Sequence, residues 1–166
     1  MPWTTYEAEN MTIVGGQILG PPQKVVDNNA EATNTVDMEA SGRQCVQLTA
    51  AGQYIQFAAQ ATANSIVVRY SVPDTANGVG ANYTLSLYTN GVFAQTLPMT
   101  SMYSWLYGGY PFENTPGAGT PRNFYNEARL SGLTINPGNL VRLQVDAGDT
   151  ATNYDIDLVD LENVAR

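Results

Sequence analysis

Between Met99 and Leu130 the chain reads MTSMYSWLYGGYPFENTPGAGTPRNFYNEARL, a stretch that carries Tyr103, Trp105, Tyr107, Tyr110, Phe112, Phe124 and Tyr125. Gly108, Gly109, Asn114, Pro116, Gly117, Gly119 and Pro121 interrupt the rings. Gly and Pro disfavour regular strand pairing, so the spacing predicts a long, shaped loop. Its rings either plug the end of a scaffold or offer flat apolar area to a ligand. A second group is Glu7 and Glu9. Two residues apart on a strand, they share a face and repel each other, unless water solvates them or a hard cation bridges them. Glu113 and Glu127 lie within or beside the aromatic stretch. Paired carboxylates are what hydrolytic acid–base chemistry needs, but two acids in one such region are an easy coincidence. Cys45 is the only cysteine and there is no histidine. A base-activated Cys or Ser nucleophile of the usual kind is therefore excluded, and Cys45 reads as a small hydrophobe.

The overall charge narrows the partners. With 7 Lys and Arg against 15 Asp and Glu, the formal net charge is -8, so nucleic acid and anionic membrane are poor partners. A single cysteine permits no internal disulfide, and no apolar run is long enough to span a bilayer. The opening MPWTTYEAE has no basic segment followed by an apolar core, so no signal peptide is expected there. The expectation is one domain over 1–166, excised from a larger secreted enzyme.

The elements that must position these residues are short strands. Thr4–Glu9, Thr12–Val14, Gln17–Leu19, Gln44–Leu48, Tyr54–Phe57, Ser65–Val72, Tyr83–Tyr88, Val92–Leu97, Phe124–Leu130, Leu133–Ile135, Leu140–Val145 and Tyr154–Leu161 have strand-like composition. Ile66, Val68, Tyr70 and Val72 share one face by the two-residue period, as do Val141, Leu143 and Val145. In the last strand Ile156 and Leu158 are expected on one face, with Asp155, Asp157 and Val159 on the other. Asn90-Gly91 is a hairpin signal, Pro98 is read as a strand end, and Asp27–Gly42 as loop with a short strand at most. A succession of short strands without a helical period predicts an all-β fold, a β-sandwich jelly roll of two antiparallel sheets.

Three segments then line up with a known family. The opening YEAEN, the run GRQCVQLTAAGQYIQF followed by ANSIVVRYSVPD, and the closing YDIDLVDLENV resemble carbohydrate-binding modules of families six and thirty-five, β-sandwiches appended to secreted glycoside hydrolases. The segment SWLYGGYPFENTPGAGTPRNFYNEARL further resembles the version of this module placed ahead of β-helical glucanases, including those acting on α-1,3-glucan. The resemblance implies a structural calcium joining the first and last strands, held by Glu7, Glu9 and Asp157. It implies a sugar site at one end of the sandwich, at Trp105 and Asn153. Tyr103, Tyr107 and Tyr110 are placed around them, with Tyr125, Asn126, Glu127 and Arg129 as second choices. Phe112 and Phe124 read as plugs, and Glu127 with Arg129 reads equally as a salt bridge.

The resulting expectation is a monomeric, extracellular, non-catalytic module. It binds a neutral polysaccharide, glucan favoured, and targets an attached catalytic domain. The alternative is a structural β-sandwich packed against such a domain without sugar binding of its own. The long insertion from Met99 to Asn126 would cover the usual cleft in that case.

Overall fold

The computed structural model describes residues 3–21, 35–106 and 121–165, with backbone alone for 105–106 and 121–123. The chain forms β1 (Trp3–Glu7), a 3-10 turn (Ala8–Asn10), β2 (Thr12–Val14) and β3 (Gln17–Leu19). A four-residue helix α1 (Val36–Glu39) and a second 3-10 turn (Ser41–Arg43) follow. Then come β4 (Cys45–Leu48), β5 (Tyr54–Ala58), β6 (Ala63–Ser71), β7 (Asn82–Thr89) and β8 (Val92–Thr100). The remaining strands are β9 (Trp105–Leu106), β10 (Pro121–Asn123), β11 (Asn126–Ile135), β12 (Leu140–Gln144) and β13 (Tyr154–Glu162). Among the described residues no helix is long and apolar enough to cross a membrane.

Two antiparallel sheets make the sandwich. The first has the order β11-β6-β13-β4-β3, with β1 also paired to β13; the second runs β2-β5-β12-β7-β8. The inward residues are those the alternation selects: Val46, Leu48, Ile66, Val68 and Tyr70 from one sheet, Ile55, Leu85, Leu87, Val141 and Leu143 from the other, all at most 1 % exposed. Burial of these side chains drives closure, at about 25 cal/mol per Å² of apolar surface removed from water. Tyr70 adds a polar tie between the layers. Its hydroxyl donates to the Thr100 carbonyl (3.0 Å) and accepts from the Thr100 N–H (2.7 Å).

The strands depart from the sequence expectation where tertiary contacts override local pattern. β1 stops at Glu7, because the chain turns there to bury Ala8 completely; Glu9 therefore lies on a 3-10 turn and not on a strand face. β8 continues through Pro98 to Thr100. It is an edge strand, where a missing N–H leaves no neighbour unpaired. β11 is continuous over both expected pieces, with a register irregularity between Ser131 and Ile135. Residues 36–43 contain a helix and a turn and no strand. A four-residue helix has no periodicity to read, and one this short is held by its surroundings.

Tyr70→Phe should keep the packing and strand both backbone groups of Thr100. We expect a loss of about 1–3 kcal/mol in urea denaturation, with an unchanged far-UV circular dichroism spectrum.

Candidate functional site

The site is organised by β13, the central strand of the first sheet. Along one edge it pairs with β4 as far as Ile156 and with β1 from Leu158 onward. Asp157 sits at that seam. Against β6, Ile156 faces Tyr70 and Leu158 faces Arg69, so Asp157 is the extra residue of a β-bulge. The bulge resets the alternation. Ile156, Val159 and Leu161 all enter the core, while Leu158 is only partly buried; the expected pairing of Ile156 with Leu158 on one face is thereby corrected.

Asp157 is fully buried. One carboxylate oxygen accepts the Ser41 N–H (2.8 Å) and the other pairs with the Arg69 guanidinium. Ser41 also donates its hydroxyl to Glu7 Oε1 (2.9 Å), so the 3-10 turn joins the first strand to the last. Glu7 Oε2 and Glu9 Oε2 are buried and have no hydrogen-bond partner. Burial raises the Glu9 carboxyl above its ordinary range, and repulsion from Glu7 and Asp157 adds to it. Burial also raises Asp157, outweighing Arg69 and the Ser41 N–H. The three acids named from the sequence are thus brought together, although by a turn and a bulge rather than by strand periodicity. Among the described residues no group of three or more Asp, Glu, Cys or His side chains is placed to hold a metal ion.

The aromatic candidates separate. Tyr103 is 71 % exposed on the turn after β8. Tyr107, Tyr110, Phe112 and Glu113 lie outside the described residues, as does the side chain of Trp105. Tyr125 is buried: its hydroxyl donates to the Val36 carbonyl (2.8 Å), and the Arg69 guanidinium stacks over its ring at 4.2 Å. Cys45 and Ala40 complete that small apolar cluster, with Phe124 packed against it. Burial pushes the Cys45 thiol up to about 12, which keeps it protonated and unreactive. Glu127 is exposed on β11, and Arg129 pairs with Glu162 instead of Glu127. Asn153 lies on the loop before β13, beside a cleft of about 200 Å³ that also includes Asp74, Ser104 and Phe124. Sequence reasoning missed Ser41, Arg69 and Asp74. Arg69 carried the one available signal, a cation on the outward face of a core strand.

A two-sheet sandwich with a buried carboxylate seam and a small cleft at its loop end places the chain among β-sandwich domains, not among α/β catalytic folds. The chain belongs to the alpha-1,3-glucanase catalytic domain D1 family, which it matches over residues 1–164. It is similar to the crystal structure of the Agl-KA catalytic domain, at 30 % identity and TM-score 0.84, covering 99 % of this chain and 28 % of that one. It is also similar to the catalytic unit of a thermostable GH87 alpha-1,3-glucanase from Streptomyces thermodiastaticus strain HF3-3, at 34 % identity and TM-score 0.76, covering 99 % and 26 %. A GH87 alpha-1,3-glucanase catalytic domain in complex with nigerose matches at 32 % identity and TM-score 0.79, covering 100 % and 29 %. No curated protein sequence matches the chain. The chain spans just over a quarter of the length of these solved structures.

These matches correct the reading as a non-catalytic carbohydrate-binding module, and equally its alternative of a structural sandwich outside catalysis. The family is a part of a glucanase catalytic domain, so the expectation that the chain is no enzyme falls as well. The physical reason is that the quoted motifs belong to strands and their buried acids. They specify a sandwich, and a sandwich does not specify the task it performs.

A pH prediction follows from Asp155, which accepts hydrogen bonds from Gln47 Nε2 and Asn153 Nδ2 (both 2.8 Å). Burial pushes its carboxyl from 3.8 up to about 6. The folded chain then holds this proton more tightly than the unfolded chain. The stabilisation is complete below about pH 4 and is lost as pH rises through the folded value. Relative to the native chain, Asp155→Asn should gain on the order of 2–4 kcal/mol between pH 4 and pH 7.5. Paired urea melts in a chelator measure this, and parallel pH profiles would count against it.

Proposed function

We propose that this chain serves as the D1 part of a secreted glycoside hydrolase whose catalytic unit cleaves α-1,3-linked glucan. The observation that carries the reading is the match to the D1 family along 1–164. Nigerose in a related catalytic domain supports the substrate class. Glycoside hydrolysis runs between two carboxyl groups, one protonating the leaving oxygen and the other attacking the sugar or activating water. This chain contributes to holding the substrate at the loop end of the sandwich. There Asn153 and Ser104 suit sugar hydroxyls, since each both donates and accepts. Rings of the aromatic stretch, Trp105 foremost, with Tyr103, Tyr107 and Tyr110, suit the apolar faces of the pyranose.

The test uses the full-length enzyme that carries this chain. It is assayed for reducing-end release from α-1,3-glucan, dextran and β-1,3-glucan. We expect release from α-1,3-glucan alone. Trp105→Ala and Asn153→Ala should each raise KM about five- to thirty-fold, the effect of about 1–2 kcal/mol. Release from one of the other glucans only would sink the reading.

We infer a structural calcium in addition, from the two buried glutamate oxygens that have no donor. Glu7, Glu9 and Asp157 would hold it, and it would supply charge neutralisation and cross-link the first strand to the last. Calcium at about a hundred-fold over its Kd should raise Tm by about 5–10 °C over the chelated protein. Glu7→Gln should remove most of that rise; an identical response in the variant would exclude this site.

A further inference from the structure

We infer that the cleft on the side of the sandwich, between β1 of the first sheet and β2 and β5 of the second, is a carbohydrate subsite separate from the loop end. The identity of the sugar, a unit of α-1,3-glucan, rests on the function proposed above. The cleft exists because two strands stop short. β1 ends at Glu7, and β2 covers the edge of β5 only from Tyr54 to Gln56. Phe57 and Ala58 pair with β12 on one side. On the other, among the described residues, no strand lies beside them. The space left has a volume of about 450 Å³, within the range of about 300–1,000 Å³ that small-molecule sites occupy. The cleft beside Asn153 is less than half as large.

Its lining sets the chemistry of what it takes. The floor is apolar: the Tyr6 and Phe57 rings lie 4.2 Å apart, and both are buried. Asn10, Thr12, Gln56 and Gln60 supply amides and a hydroxyl to the walls. Two of the polar groups are held in place and keep a donor unspent. The Tyr6 hydroxyl accepts the Gln60 N–H (2.8 Å), and its own hydrogen has no acceptor among the described residues. Gln56 Oε1 accepts from Arg142 Nε (2.9 Å), which fixes the amide and leaves the hydrogens of its nitrogen without a partner among the described residues. A donor left idle on a buried side chain costs stability, and a ligand acceptor relieves that cost. Among the described lining residues Glu7 is the one charged group, so no cation is present to receive an anionic ligand. Sugar hydroxyls both accept and donate, which matches the Tyr6 and Gln56 donors and the amide oxygens of Asn10 and Gln60. The apolar face of a pyranose matches the aromatic floor. A neutral sugar therefore satisfies the lining where an anion does not.

The experiment titrates the full-length enzyme that carries this chain with nigerose and, in parallel, with digalacturonate, read by hydrogen–deuterium exchange. Nigerose should slow exchange by at least about three-fold in the segments 5–12 and 56–60. Tyr6→Phe keeps the ring and removes only the hydroxyl. It should raise the nigerose Kd for that protection about three- to ten-fold, the effect of one hydrogen bond, and Gln56→Ala should do the same. Asn153→Ala, at the loop end, should leave this protection unchanged. Digalacturonate should give none. Protection absent from 5–12 and 56–60, or present and undiminished in both variants, would overturn the side subsite, as would equal protection by digalacturonate. Release of reducing ends from α-1,3-glucan by the same preparation would show that the proposed function stands even so.

Discussion

A fully buried carboxylate in the middle of the central strand governs how this sandwich is assembled. Asp157 cannot remain ionised in the protein interior without partners. Meeting that demand brings in Arg69 from β6, the Ser41 N–H from the second 3-10 turn and, through Ser41, Glu7 from β1. Arg69 in turn is sandwiched by Tyr125 and the Glu39 carbonyl. The outer face of the first sheet is therefore covered because of one acid. Removing either partner alone would leave a buried charge uncompensated, a cost of about 3–5 kcal/mol in comparable cases.

The two sheets treat their acids differently. On the second sheet, burial pulls the Asp146 carboxyl upward, but hydrogen bonds from Tyr88, Gln144 and Ser86 hold it below its ordinary value. Asp149 accepts from Thr84 and Ser86 as well. That network supplies donors enough for its oxygens. The seam of the first sheet does not, since Glu7 and Glu9 each keep a buried oxygen with no donor. The contrast separates a polar network complete in itself from one that keeps two carboxylate oxygens without a donor.

The family relation changes what the loop end of the sandwich is for. In an independent module the cleft beside Asn153 would serve attachment to a polymer. As part of a glucanase catalytic domain, the role proposed above, the same surface would bear on how substrate is held during hydrolysis. Hydrogen bonds from Asn126 to Ser104, and from Asn153 to Asp155, tie that cleft to β11 and β13. Its polar groups are thereby preoriented by strands, which hold a geometry better than loops do.

Alternation of apolar residues by itself determined the sandwich and most of its core: Ile66, Val68 and Tyr70 point inward, as do Val141 and Leu143, because side-chain direction on a strand is a local property of period two. The acids at Glu7, Glu9 and Asp157 were also visible as residues needing a partner. Three things were decided only by tertiary structure: the bulge that reset β13 at Asp157, the turn that carried Glu9 off its strand, and the burial of Tyr125 on the outer face of the first sheet. Each answers to a contact between distant parts of the chain, such as Ser41 with Asp157 across 116 positions. Local sequence encodes which way a side chain points. Whether a buried charge finds its partner depends on what the fold brings beside it.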